Sequence, residues 1–142
     1  MKRLHIICVV IIMLNVFFHG CAPNTEQNKE IMAVIYENIA AIQAEDLDRY
    51  MATIHEQSPA YATTREMMEQ ITNAYDLKYE LQEVKIIKRS AEEASVQFIQ
   101  VTTKLSGPEF RDNKIKGVHI LKKSEDKWKI FNTEVKDIEY LN

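Results

Sequence analysis

The sequence predicts an α+β fold in which N-terminal helices pack on a curved four-stranded antiparallel sheet, after a signal peptide. Up to Leu77, apolar residues recur at spacings of 3 and 4, which indicates amphipathic helices. After Leu77 the period falls to 2, which indicates strands. A run of helices followed by a run of strands is typical of α+β domains. The 142 residues suffice for one such domain.

The first twenty residues differ in composition from the rest of the chain. Lys2 and Arg3 precede an apolar run from Leu4 to Phe18. A basic start and an apolar run of this length are typical of a secretory signal. The run is short for a membrane-spanning helix, which needs roughly 20 apolar residues. An uncleaved N-terminal membrane anchor is the alternative interpretation.

One cysteine ends this apolar run. His19, Gly20 and Cys21 resemble the end of a bacterial lipoprotein signal, in which a small residue precedes a lipidated cysteine. Phe18 occupies the position where that motif usually has leucine, and His19 the position where alanine or serine is usual. The resemblance implies that the thiol of Cys21 receives a diacylglyceryl group and that the signal is cut before it. Two acyl chains give stable attachment, whereas one binds a membrane only marginally.

Lipidation at Cys21 divides the chain into three parts. Residues 1–20 are the predicted signal peptide, residues 21–27 a lipidated tether and residues 28–142 the folded domain. Cys8 falls within the signal, so the mature chain has a single cysteine and no internal disulfide. We expect a protein anchored to a bacterial cell membrane by its lipid and facing outside the cytoplasm.

Three helical patterns open the folded domain. The first covers residues 28–44, where the apolar positions form one face. The second begins at Asp46, a favourable N-cap residue, and continues to His55. The third begins at Thr63 or the next residue, since Thr63 and Glu66 have the spacing of a capping box.

Four segments with strand periodicity follow the helices. Gln82 and Glu83 break the alternation of the first segment, which predicts a β-bulge. Residues 124–127 form a tight turn between the last two segments, and the longer loop at 106–113 joins the middle two. Short connections between successive strands predict an antiparallel meander. The four segments are, in order, residues 78–88, 94–105, 114–123 and 128–135.

The order of helices and strands, and the Trp-Lys-Ile at 128–130 after the turn, resemble the nuclear transport factor 2-like superfamily. Its members share the cystatin-like α+β roll. The stretches DLDRYMATIHEQSPAY at 46–61 and GVHILKKSEDKWKIFNTEV at 117–135 are similar to small secreted or lipid-anchored bacterial members of the SnoaL-like kind. The resemblance implies a cone-shaped pocket between sheet and helices. It assigns no activity, because the superfamily contains isomerases, cyclases, dehydratases and binding modules.

Five side chains are candidates for that pocket: Asp46, Tyr50, His55, Tyr61 and His119. Asp46 is either a general base at the pocket mouth or an N-cap, and capping is the more common role. Histidine titrates near neutral pH, so His55 and His119 are candidate acid–base groups. The alternatives are contact with a helix end for His55 and a half-buried sheet position for His119. Tyr50 and Tyr61 either donate hydroxyl groups, as the isomerase members do, or pack in the core.

The sequence gives no support for a metal, a cofactor or a nucleic-acid partner. It contains no His-x-x-x-His, no cysteine pair suited to zinc and no glycine-rich phosphate loop. The formal net charge is −3, and removal of Lys2 and Arg3 makes it −5. No basic stripe that would suit nucleic acid is present.

The leading hypothesis is therefore a non-catalytic lipoprotein whose domain binds a small hydrophobic ligand or a protein partner. The alternative is a cofactor-free pocket enzyme of the isomerase, cyclase or dehydratase type that uses a histidine or aspartate with a tyrosine. Both faces of the 94–105 strand carry apolar residues, so the outer face of the sheet is a candidate homodimer surface.

Overall fold

A computed structural model describes residues 23–141, which form three helices followed by four strands. This confirms the predicted α+β order. The signal peptide and Cys21 lie outside the described residues. Within the described part, no helix is long and apolar enough to cross a membrane. The elements are α1 (Pro23–Gln43), α2 (Leu47–Ala52), α3 (Tyr61–Ala74), β1 (Asp76–Arg89), β2 (Glu93–Ser106), β3 (Asn113–Ser124) and β4 (Lys127–Tyr140).

The four strands form one antiparallel sheet in the order β1-β2-β3-β4, as the meander predicts. Phe98 at the centre of β2 lies opposite Val84 of β1 and Gly117 of β3. The register of β1 shifts between Leu81 and Glu83, which confirms the predicted bulge. Bulges bend a strand and increase its twist, so this shift helps the sheet to curve around the helices.

One face of the sheet is buried against α1 and α2. Alternate residues of β2, beginning with Ala94, Val96 and Phe98, are buried, because successive side chains of a strand point to opposite faces. The described buried residues all lie between Ile31 and Ile130. The central cluster also contains Ile35, Met51, Ile54, Leu121 and Trp128.

The chain after α2 pairs with the edge of β4. The Ile130 amide donates to the Thr53 carbonyl at 2.8 Å, and the His55 amide donates to the Ile130 carbonyl at 2.9 Å. Ile54 and Ile130 thus form a parallel bridge. For this reason the helix predicted to continue to His55 ends at Ala52, where the backbone extends to meet the sheet.

The starts of α1 and α3 differ from the predicted ones, whereas α2 starts after the predicted N-cap Asp46. α1 begins at Pro23, so residues 23–27 of the predicted tether are helical. Proline suits the first turn of a helix, where its missing amide hydrogen is not needed. α3 begins at Tyr61, and the Thr63 hydroxyl donates to the Ala60 carbonyl at 3.1 Å. The predicted capping box at Thr63 is therefore wrong.

The last strand is longer than predicted. β4 continues beyond Val135 to Tyr140, although apolar and polar side chains do not alternate regularly in this stretch. Its partners on β3 account for the extension, because Ile138 lies opposite Ile115 and Tyr140 opposite Asn113. Pairing with a neighbouring strand outweighs a weak local preference.

Candidate functional site

A cavity of about 480 Å³ lies between the helices and the inner face of the sheet. Ligand pockets typically occupy roughly 300–1,000 Å³, so this cavity has the size for a small molecule. Its apolar wall comes from every layer of the fold. The apolar side chains that line it include Ile39, Ile42, Ile54, Met67, Met68, Ile71, Leu77, Phe98, Phe110, Ile115, Ile130 and Val135.

The polar part of the wall carries no charged side chain. Among the described residues that line the cavity, none is aspartate, glutamate, lysine or arginine. The polar groups are amides, hydroxyls, phenols and one imidazole. They belong to Asn38, Tyr50, Ser58, Thr64, Tyr79, Gln100, Thr102, Asn113, His119, Asn132 and Thr133.

His119 is the imidazole of the wall. Its Nδ1 lies 2.8 Å from the Thr133 hydroxyl oxygen, and its ring stacks on Phe98 with the centroids 4.2 Å apart. The side chain is half-buried, and its removal from water lowers the pKa of His119 to about 4. His119 is therefore neutral at pH 7 and is a weak base.

Two tyrosines add hydroxyl groups to the wall. Burial raises the pKa of Tyr50, and a hydrogen bond with Asn38 partly opposes that effect. Burial also raises the pKa of Tyr79 to about 12, with smaller contributions from Tyr50 and Glu45. Both phenols remain protonated at pH 7, so they offer hydrogen bonds without charge.

A buried amide joins two of the helical segments beside the cavity. Asn38 Nδ2 of α1 donates to Thr53 Oγ1 at 2.7 Å, and that hydroxyl donates to the Tyr50 carbonyl at 2.6 Å. Asn38 was not among the predicted site residues. A signal for it exists, because its spacing from Ile35 and Ile42 places one polar residue on the apolar face of α1.

The structure brings two of the five predicted site residues to the cavity. Tyr50 and His119 line it, whereas Asp46, His55 and Tyr61 do not. Tyr61 instead packs against the hydrophobic core. The proposed convergence of an acid, a histidine and a tyrosine is therefore absent from the described cavity wall.

Asp46 and His55 have structural contacts elsewhere. Asp46 Oδ1 accepts a hydrogen bond from the Arg49 amide at 3.0 Å, so Asp46 is the N-cap of α2. His55 Nδ1 accepts from the Gln57 amide at 3.1 Å, and Nε2 lies 3.3 Å from the Lys123 carbonyl oxygen. These two contacts occupy both ring nitrogens and hold the segment after α2 against the β3–β4 hairpin.

The cavity opens between α3 and β4. Met67 of α3 and Val135 of β4 both line it, yet they are 52% and 53% exposed. Residues that line a cavity and also meet solvent form its rim. Ala60, at the start of α3, is a further exposed lining residue.

The structure shows no metal site among residues 23–141. No cluster of three or more histidine, cysteine, aspartate or glutamate side chains there is placed to hold a metal.

The fold is that of nuclear transport factor 2-like and cystatin-like structures. An NTF-2 like protein from Shewanella oneidensis aligns with a TM-score of 0.59 and 17% identity, over 78% of this chain and 99% of the other. A protein with a cystatin-like fold from Nostoc punctiforme aligns with a TM-score of 0.64 and 12% identity, over 81% and 92%. Identities this low show the fold alone.

Sequence comparison defines the family. Residues 33–141 match the family described as anti-sigma-I factor RsgI9, C-terminal domain. Anti-sigma-I factor RsgI9 of Acetivibrio thermocellus is 31% identical over 108 residues, which is 75% of this chain. The chain belongs to the family of the RsgI9 C-terminal domain. It spans only 15% of the length of that relative.

Proposed function

We propose that this chain is a non-catalytic regulatory lipoprotein whose domain binds a small hydrophobic ligand in the cavity between α3 and the sheet. The observation that carries the proposal is the cavity itself, about 480 Å³ in volume with a mostly apolar wall that bears no charge. Burial of apolar surface contributes roughly 25 cal/mol per Å², so such a wall gives a hydrophobic molecule its binding free energy.

The regulatory part of the proposal rests on the family. The matching segment of the Acetivibrio relative lies in an anti-sigma factor, and its family is named as that protein's C-terminal domain. A ligand that orders the rim between Met67 and Val135 would change the apolar surface exposed there. A protein partner that recognises this surface would then respond to the ligand.

The membrane anchor is the second part of the proposal. α1 begins two residues after Cys21, and residues 25–30 are exposed or half-exposed. Asn28 in this stretch accepts a hydrogen bond from Arg89 of β1 at 3.0 Å, and its exposed neighbours would lead from the domain to a bilayer on the outer side of the cytoplasmic membrane. Detergent phase partition of wild type and Cys21→Ala tests this. The wild type should enter the detergent phase, whereas an equally processed and equally partitioned Cys21→Ala protein would contradict lipid anchoring.

A homodimer through the outer face of the sheet is a third proposal. Ile99 and Val101 of β2 and Val118 and Ile120 of β3 are half-buried on that face, opposite the inward Phe98 and its neighbours. Sedimentation equilibrium of wild type and Val101→Glu tests it. The wild type should sediment as a dimer and the variant as a monomer. A monomeric wild type would overturn the proposal.

The alternative of a pocket enzyme has few residues to support it. A general base works best with a pKa near the working pH, and His119 has a pKa of about 4. Asp46 caps α2, and both ring nitrogens of His55 are engaged outside the cavity. The carboxylate that an isomerase of this fold type requires is absent from the described lining.

Nile red, an uncharged dye whose fluorescence rises in apolar surroundings, tests binding in the cavity. Ala60→Trp places a large side chain at the rim, whereas Ala62→Trp adds the same side chain at an exposed position outside the lining. We expect the wild type and Ala62→Trp to bind the dye equally and Ala60→Trp to bind it at least about tenfold more weakly, a loss of about 1.4 kcal/mol. Equal binding by all three proteins would place the dye outside this cavity.

A further inference from the structure

The wall of the cavity is polar at several points but carries no formal charge. Its three titratable groups, Tyr50, Tyr79 and His119, are all neutral at pH 7. The described charged side chains lie outside the lining. A carboxylate or ammonium buried in the cavity would lose its hydration without gaining an opposite charge, which is strongly unfavourable.

His119 has hydrogen-bonding capacity that the protein does not use. Its Nδ1 is engaged with the Thr133 hydroxyl, and its ring face is covered by Phe98. The other ring nitrogen, Nε2, has no hydrogen-bond partner among residues 23–141. A neutral imidazole donates at one nitrogen and accepts at the other, and the flexible Thr133 hydroxyl can complement either tautomer. The free nitrogen can therefore bond to a hydroxyl group, which both donates and accepts.

We propose that the cavity selects an uncharged, largely apolar ligand that carries a hydroxyl group, and that this hydroxyl bonds to His119 Nε2. The inference rests on the proposed function, because it names the class of ligand that the same cavity accepts. It assigns selection against charge to the whole uncharged wall, and selection for the hydroxyl to His119. These two parts make separate predictions.

A series of naphthalene compounds separates the two parts. The probes are 2-naphthol, which is neutral at pH 7, 2-methylnaphthalene, which lacks the hydroxyl, and 2-naphthoate, which is an anion. Binding is measured at pH 7 by isothermal titration calorimetry with residues 22–142, which contain the whole described core. We expect 2-naphthol to bind at least about tenfold tighter than 2-naphthoate and several-fold tighter than 2-methylnaphthalene.

Two comparisons show which residues cause these preferences: His119→Phe against the wild type, and Thr64→Lys against Thr63→Lys. His119→Phe should abolish the preference for 2-naphthol over 2-methylnaphthalene and retain binding of 2-methylnaphthalene. Thr64→Lys puts a cation on the lining and should strengthen 2-naphthoate binding about tenfold, since buried charge pairs are worth this much or more. Thr63→Lys, exposed on the same helix and outside the lining, should leave 2-naphthoate binding unchanged.

The outcomes that overturn the inference differ from those that overturn the proposed function. If 2-naphthoate binds the wild type as tightly as 2-naphthol, selection against charge is wrong. If 2-naphthol and 2-methylnaphthalene bind equally, the role of His119 is wrong, and apolar binding by the cavity stands. If none of the three compounds binds, both the inference and the proposed function fail. The comparison of ligands uses only the wild type, so it tests selection against charge and selection for a hydroxyl group even where a variant does not fold.

Discussion

The imidazole of His119 lies almost parallel to the ring of Phe98, with the centroids 4.2 Å apart and the planes 13° from parallel. Phe98 lies directly opposite Gly117, two residues before His119 on the same face of β3. A Cβ atom at Gly117 would come within 2.7 Å of Phe98 Cε1 and Cζ and 2.9 Å of the Glu134 carbonyl oxygen. The stacked pair, and with it part of the cavity wall, depends on the absence of a side chain at position 117.

Gly117→Ala should therefore destabilise the domain and disturb the cavity. The added methyl group must displace Phe98 or the β4 backbone, and overpacking of this kind costs about 1–3 kcal/mol. Urea unfolding followed by circular dichroism measures the loss, and Nile red binding should weaken in the same variant. Lys116→Ala, at the neighbouring exposed position, is the control and should change stability by less than about 0.5 kcal/mol. An unchanged urea midpoint for Gly117→Ala would show that the close contact is relieved without cost.

The lowered pKa of His119 predicts a loss of stability in mild acid. An ordinary histidine has a pKa of 6.5, and burial brings that of His119 to about 4 in the folded state. Between these values the unfolded chain binds the proton and the folded chain does not, so stability falls as pH decreases from 6.5 to 4. His119→Gln should reduce the difference in unfolding free energy between pH 7 and pH 5. An identical difference in both proteins would show that His119 does not cause the loss of stability in mild acid.

Glu56 contributes in a lower pH range and can be separated from His119. Its hydrogen bond with Lys129, aided by Ser124, lowers the pKa of Glu56 from 4.5 to about 2. A carboxyl group with a lowered pKa stabilises the fold above its unfolded pKa, and this contribution is lost as pH falls from 4.5 to 2. Glu56→Gln should reduce the decline below pH 4.5 and leave the decline between pH 6.5 and 5 as in the wild type.

Thr53→Val should destabilise the domain although it hardly changes the side-chain volume. The substitution removes the acceptor of the buried Asn38 amide at 2.7 Å and the donor to the Tyr50 carbonyl. Loss of one partner of a buried hydrogen bond costs about 1–3 kcal/mol. Thermal unfolding measures the effect. Thr103→Val, half-buried on the outer face of β2, is the control, and an equal stability change in both variants would contradict the role of this bond.

Gln43→Ala should weaken the edge of β1. The side-chain amide of Gln43 donates to the Leu77 carbonyl at 3.1 Å and accepts from the Tyr79 backbone amide at 2.8 Å. It therefore bonds to the backbone of β1 as a neighbouring strand would. Without it, the Tyr79 amide should exchange with deuterium about tenfold faster, since each such bond contributes about 0.5–1.5 kcal/mol. Hydrogen exchange read by NMR measures this, with the exposed Gln70→Ala as control. Unchanged exchange at Tyr79 would show that Gln43 does not protect the edge.

The order of elements and the bulge were predictable because they depend on local periodicity. The alternation that fails at Gln82 and Glu83 is visible in the sequence, and the register shift follows it. The end of α2 was not predictable in this way. The residues that follow Ala52 continue a helical pattern, but pairing of Ile54 with Ile130, 76 positions later, draws them into an extended conformation.

The candidate site was predictable only in part, because residue type does not show which way a side chain points. His55 and His119 are the same residue type, and both are beside apolar positions. His119 lies on the cavity wall, whereas both ring nitrogens of His55 contact backbone groups outside the cavity. The absence of charge from the described lining was also hidden, because it is a property of side chains from all three helical segments and the sheet together.

Native mass spectrometry tests the central claim, that this cavity holds a small uncharged molecule, most directly. Residues 22–142 of wild type, Ala60→Trp and Ala62→Trp are incubated with 2-naphthol after purification without detergent, and each is weighed intact. We predict a one-to-one complex with the wild type and Ala62→Trp and none with Ala60→Trp. The same complex in all three proteins, or in none of them, would contradict binding in the cavity between the helices and the sheet.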